Sequence, residues 1–120
     1  MAIIANIVVA AVALLHLYIL VLEMFLWTSA RGRAVFGTDL EFAKASAPLA
    51  ANQGLYNGFL AAGLIWGLVA AEAVGFPVKV FFLSCVIIAG IYGAATVNRR
   101  ILFVQGIPAA VGLILVLVSR

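Results

Sequence analysis

The chain has 120 residues, 68% of them hydrophobic and only 9% charged, with a formal net charge of +3. A soluble domain of this length needs far more charge to cover its surface, so composition and a mean hydropathy of +1.31 point to an integral membrane protein with one domain over residues 1–120. The basic residues fall between hydrophobic runs, the pattern of membrane topology, so the expected partner is the lipid bilayer and not nucleic acid.

Four runs approach the roughly 20 residues that a span needs, at about 3–28, 48–71, 79–98 and 101–119. The predicted fold is all-α, a four-transmembrane-helix bundle. The first run lacks a basic leader and a small-residue cleavage site, so it reads as a retained helix and not a signal peptide. Within it, HLYILVLEMFLW sets His16 and Glu23 seven residues apart, close to two helical turns and therefore on nearly the same face. An ionisable group facing lipid is costly, so that face is expected to look toward other helices. Trp27 reads as an interfacial anchor and Trp66, deeper, as packing.

The connection TSARGRAVFGTDLEFAKASAP holds five of the eleven charges, Arg31, Arg33, Asp39, Glu41 and Lys44. Asp39 suits the N-cap of a short helix with Glu41 in its first turn, and Pro48 suits the first turn of the second span. In that span Gly54, Gly58, Gly63 and Gly67, with Gly90, Gly93 and Ala94 in the third, allow close backbone approach. EAVGFP, with Gly75 and Pro77, reads as a tight turn. Cys85 reads as a small buried hydrophobe, and a single cysteine excludes an internal disulfide and a multi-cysteine metal site; no metal site is expected. Phe81, Phe82 and Phe103 read as packing or lipid contact. The third connection is only Asn98-Arg99-Arg100, and Gly106 with Pro108 predicts an irregular start to the fourth run.

Connections one and three carry Arg31, Arg33, Lys44, Arg99 and Arg100, against Lys79 and Arg120 on the other side. This bias predicts a multi-pass protein of the inner (plasma) membrane with both termini outside. Every helix then adds polar groups to the cytoplasmic half: His16 and Glu23; Asn52, Gln53, Tyr56 and Asn57; Tyr92 and Thr96; and Gln105. The outer half has almost none apart from Ser84 and the interface charges Glu72 and Lys79. The asymmetry predicts a polar, cytoplasm-facing pocket. Structural readings stand beside it: Glu23 paired with Arg99 or Arg100, His16 bonded in the core, and Asn52, Gln53 and Asn57 as glue between helices.

The strings LEMFLW, RGRAVFG, EFA, LAANQGLYNGFLAAGLIWGL, FFLSCVIIAGIYGAATV and RRILFVQGIPA together resemble a bacterial family of small membrane proteins, the domain of unknown function 1304. The resemblance covers residues 14 to 112 or so and implies a four-span membrane protein without implying a reaction. His16 falls where the family also places a histidine. Glu23, Asn52, Gln53, Asn57, Tyr92, Arg99, Arg100 and Gln105 lie within the matching strings. SARGR departs from the family, which often has a proline before RGR.

The first functional reading is a membrane enzyme or binding protein acting on a small, partly apolar molecule. Glu23 would donate or accept a proton, with His16, Asn57 and Tyr92 beside it in the catalytic group. Asn52, Gln53, Tyr56 and Gln105 would bind the ligand, and Arg99 or Arg100 an anionic part at the rim. Four-helix layouts with a polar, cytoplasm-facing site occur in membrane-bound isomerases and glutathione-type transferases, an analogy of fold alone. His16 permits haem ligation without demanding it, so no cofactor is assigned. The alternatives are a small proton-coupled transporter using Glu23 and a structural or assembly subunit. A four-helix chain this short is expected to form a homo-oligomer to enclose a site.

Overall fold

A computed structural model describes residues 1–120, and the chain is helical almost throughout. The helices are α1 (Ala2–Met24), α2 (Ala30–Phe36), α3 (Leu40–Val69), α4 (Glu72–Thr96) and α5 (Ile107–Val118), with a π-helical turn, Leu102–Gly106, leading into α5. Two of them, α1 and α4, are long and apolar enough to cross a membrane by length and composition, and Leu102–Val118 is a shorter apolar helix. In α3, Asn52, Gln53 and Asn57 interrupt the apolar character near the middle of the helix, and the run that follows them is apolar. The chain divides into two compact units, Leu15–Phe59 and Met1–Leu14 with Leu60–Arg120.

In the larger unit the start of α1, the end of α3, α4 and α5 share one apolar cluster, including Ala5, Val9, Leu64, Leu83, Val86, Ala109 and Val116. Small residues set how closely these helices approach. A Cβ on Gly75 would lie 2.6 Å from the Gly67 carbonyl oxygen, and one on Gly63 would strike the Phe82 ring. Gly75 therefore serves a helix crossing and not the expected tight turn. EAVGFP forms the first turns of α4, and the link from α3 shrinks to Ala70-Ala71. Gly67 and Gly75 let the two helices meet within a few residues of the reversal.

A Cβ on Gly90 would lie 2.8 Å from Cα and N of Gly106, so α4 meets the π-helical turn backbone to backbone. Pro108 explains that turn. It has no N–H for the carbonyl of Val104, and its ring would crowd that carbonyl in a regular helix. Widening the preceding turn relieves the clash, and the Ile107 N–H bonds to the Leu102 carbonyl instead. The expected irregularity is thus a local rewinding inside a continuous helix. Asn98 tightens the link before it, its Oδ1 accepting the Arg100 N–H at 2.9 Å.

In the smaller unit, α2 is a helix that periodicity alone does not reveal. Ser29 caps it, accepting the Gly32 N–H at 3.1 Å and donating to the Leu26 carbonyl at 2.6 Å. Gly37, at φ 68°, ends it in the left-handed conformation that glycine adopts at no steric cost. Asp39 caps α3 as predicted, accepting the Phe42 N–H at 2.7 Å. The helix it opens is not short, however, but continues through Pro48 for 30 residues. The alanine-rich flanks AKASAPLAAN are strong helix formers on both sides, and one missing N–H does not break such a run.

Candidate functional site

The site is built in the smaller unit, where the last turns of α1 lie antiparallel to the first half of α3. Gly54 and Gly58 clear the contact. A Cβ on Gly54 would lie 3.1 Å from Glu23 Cβ and 3.3 Å from the Leu20 carbonyl, and one on Gly58 would lie 2.7 Å from Leu20 Cδ1. With no side chains between them, the two backbones come near enough for Asn57 Nδ2 to donate to Glu23 Oε1 at 2.6 Å. Glu23 retains 6% of its exposure and His16 none, so the seven-residue spacing does place both on a buried side of α1. Within this unit the group that meets the carboxyl is a neutral amide and not a cation.

Contacts around the pair hold the loop and α2 in place. Trp27 donates its indole N–H to Ser46 Oγ at 3.0 Å and packs on Phe36 with ring centroids 4.9 Å apart. Arg31 donates twice to Tyr18 Oη, from Nε at 2.9 Å and from Nη2 at 2.6 Å. Trp27, expected as an interfacial anchor, is thus a tie between the loop and α3, whereas Trp66, expected to pack, is 52% exposed.

Asn52, Gln53 and Tyr56 are on exposed faces of α3. Tyr56 packs edge-on against Phe59 with ring centroids 5.7 Å apart. Tyr92, Arg99, Arg100 and Gln105 belong to the larger unit, where Tyr92, Arg99 and Arg100 are exposed and Gln105 is half-buried. No group of three or more His, Cys, Asp or Glu residues is arranged to hold a metal ion.

The family profile described as "Protein of unknown function (DUF1304)" matches residues 10–117. The chain belongs to this family. It is also 34% identical over 105 residues to the "Uncharacterized protein YpaA" of Lactococcus lactis subsp. lactis (strain IL1403), a match covering 86% of this chain and 87% of the relative. No solved structure matches. Membership brings no reaction, so function rests on the residues themselves.

A second polar cluster escapes the sequence reading. Lys79, read as an interface charge, is 7% exposed, and its Nζ donates to Asn6 Oδ1 at 3.1 Å. The sequence did carry a signal, because Asn6 interrupts the first apolar run and Lys79 stands at the start of the third. A groove of about 230 Å³ opens beside them, and none of the residues predicted for the pocket lines it.

Proposed function

We propose that this family member is a four-span protein of the plasma membrane, with both termini outside, that binds a small, partly apolar molecule at the Glu23–Asn57 pair. The observation that carries the reading is the pair itself: a buried carboxyl held at 2.6 Å by an amide. A carboxyl matched to an amide keeps a proton-exchanging group available, whereas a carboxyl locked to arginine is spent on structure. In apolar surroundings such a group is a functional candidate by default. Binding alone and binding followed by proton transfer both use this arrangement.

The membrane part of the reading is supported by burial. Only 28% of the apolar window of α1, and the same share of α4, is buried inside the chain. A core helix of a soluble protein would be mostly covered, so the remaining apolar surface needs lipid or a partner. The proposed spans are α1, α3 from about residue 48 onward, α4 and the helix ending at Val118. The proposed assembly is a homo-oligomer, because Asn52, Gln53 and Tyr56 face outward from α3 and polar groups at such depth need cover.

Native mass spectrometry of protein extracted in mild detergent, with an absorption spectrum of the same sample, tests the proposal. A retained small molecule is expected on the wild type and lost in Glu23→Gln and in Asn57→Leu with assembly intact. Equal retention by all three proteins overturns it.

A further inference from the structure

We propose that the groove at the start of α4 is a binding site for a phosphate group, the phosphodiester of a lipid headgroup. The site is built from the packing outward. Gly67 carries no side chain, and a Cβ there would lie 2.6 Å from Lys79 Cγ, so the stem of Lys79 runs through space that α3 leaves open. The stem carries the ammonium to Asn6 Oδ1, a neutral acceptor, at 3.1 Å. An ammonium has three donors, and one amide oxygen uses one of them. A charge this buried is expensive unless it is paired, so the arrangement calls for an anion on the remaining side.

The groove of about 230 Å³ lies on that side, lined by Asn6, Lys79, Ser119, Arg120 and Glu72 among others. Arg120 supplies a second cation. Its guanidinium carbon sits 4.1 Å from the centroid of the Phe76 ring, so an aromatic face positions it and its N–H fork is available to a ligand. Lysine as a point charge and arginine as a planar fork are the two usual partners of phosphate oxygens. Glu72, exposed and lining the same groove, sets a carboxylate side chain beside the two cationic ones. That pattern favours a headgroup whose phosphate lies by Lys79 and Arg120 and whose amine, where it has one, reaches Glu72.

Position selects the source of the phosphate. Asn6 is in the first turns of α1, Lys79 in the early turns of α4, and Ser119 and Arg120 follow the end of α5, so the groove lies at one end of three apolar helices. Helix ends of this kind sit at headgroup level in a bilayer, where phosphodiesters are concentrated. The inference rests on the membrane reading above and is independent of Glu23.

The test is native mass spectrometry of delipidated full-length protein in detergent. The probes are phosphatidylethanolamine, phosphatidylglycerol, a diacylglycerol with the same chains, and inorganic phosphate. Retention of either phospholipid but not of diacylglycerol is expected. It should fall about tenfold or more in Lys79→Gln and in Arg120→Gln, from the loss of a charge-assisted hydrogen bond. Arg120 is exposed, so its variant reports on binding even if Lys79→Gln folds poorly. Inorganic phosphate that displaces the lipid supports the phosphate contact. Inorganic phosphate that binds while neither phospholipid does overturns the lipid assignment. Equal retention of phospholipid and diacylglycerol, or unchanged retention in Arg120→Gln, overturns the site. Alkaline washing of membranes separates the two readings: a washed-out chain overturns both, whereas a membrane-held chain with unselective lipid retention overturns this one alone.

Discussion

The Glu23–Asn57 contact makes an energetic prediction that a double-mutant cycle can measure. Asn57→Leu removes the donor at 2.6 Å and leaves a carboxyl that retains 6% of its exposure without its amide. A buried group stranded in this way costs about 1–3 kcal/mol. Glu23→Leu strands the amide of Asn57, which is half-buried and recovers part of its loss from water, so it should cost about 1 kcal/mol. The double variant replaces both partners by apolar groups and should cost less than the two single changes combined, as such paired replacements are often near neutral. The expected coupling is about 1–1.7 kcal/mol, toward the upper end of values from membrane-protein cycles because the bond is short and the carboxyl is buried. Unfolding in mixed micelles titrated with a denaturing detergent, followed by the fluorescence of Trp27 and Trp66, reads all four proteins. A coupling below about 0.3 kcal/mol, well under the average of such cycles, would show that the two side chains do not depend on one another. The site would then reduce to two unrelated polar residues.

Gly90→Ala should destabilise the larger unit by about 1–3 kcal/mol in the same titration, because its Cβ meets Gly106 backbone that cannot swing aside. Gly112→Ala is the control: its Cβ would meet only side-chain atoms, the nearest at 3.4 Å, and the midpoint should hold or rise from the gain of up to ~1 kcal/mol in helix propensity. Ser29→Ala should weaken α2 by about 1 kcal/mol, seen as faster amide exchange over residues 30–37; unchanged exchange would refute the cap. Pro108→Ala restores an N–H to the helix, so the turn over Leu102–Gly106 should rewind to α. A solved structure in which Ile107 still bonds to the Leu102 carbonyl would refute proline as the cause. Fusion of a reporter active only in the cytoplasm should give no signal at Arg120 and a signal within residues 31–44, and the reverse pattern would invert the proposed topology.

Part of the site is legible in retrospect by helical geometry. At about 100° per residue, Asn57 lies roughly 60° around α3 from Gly54, the residue against α1, whereas Asn52 lies roughly 160° away and Gln53 about 100°. Only Asn57 falls on the contact face, in agreement with its bond to Glu23 and with the exposure of the other two. Using that geometry requires knowing which glycines meet α1. The sequence offers Gly54, Gly58, Gly63 and Gly67 at equal spacing tolerance, and Gly63 and Gly67 turn out to serve α4 instead.

By itself, then, the sequence determined the all-helical fold, the inward side of His16 and Glu23, the cap at Asp39 and the disturbance before Pro108. Each follows from short-range physics: hydrophobic content, a 3.6-residue period, a side-chain oxygen at a helix start and a missing N–H. Tertiary structure alone decided that Asn57 is the partner of Glu23, that Gly75 is a crossing point, and that Lys79 is buried beside Asn6. Those outcomes join residues 34, 8 and 73 positions apart in the chain. They depend on how closely two backbones approach and in what register, and each glycine permits such an approach without naming the helix that will make it.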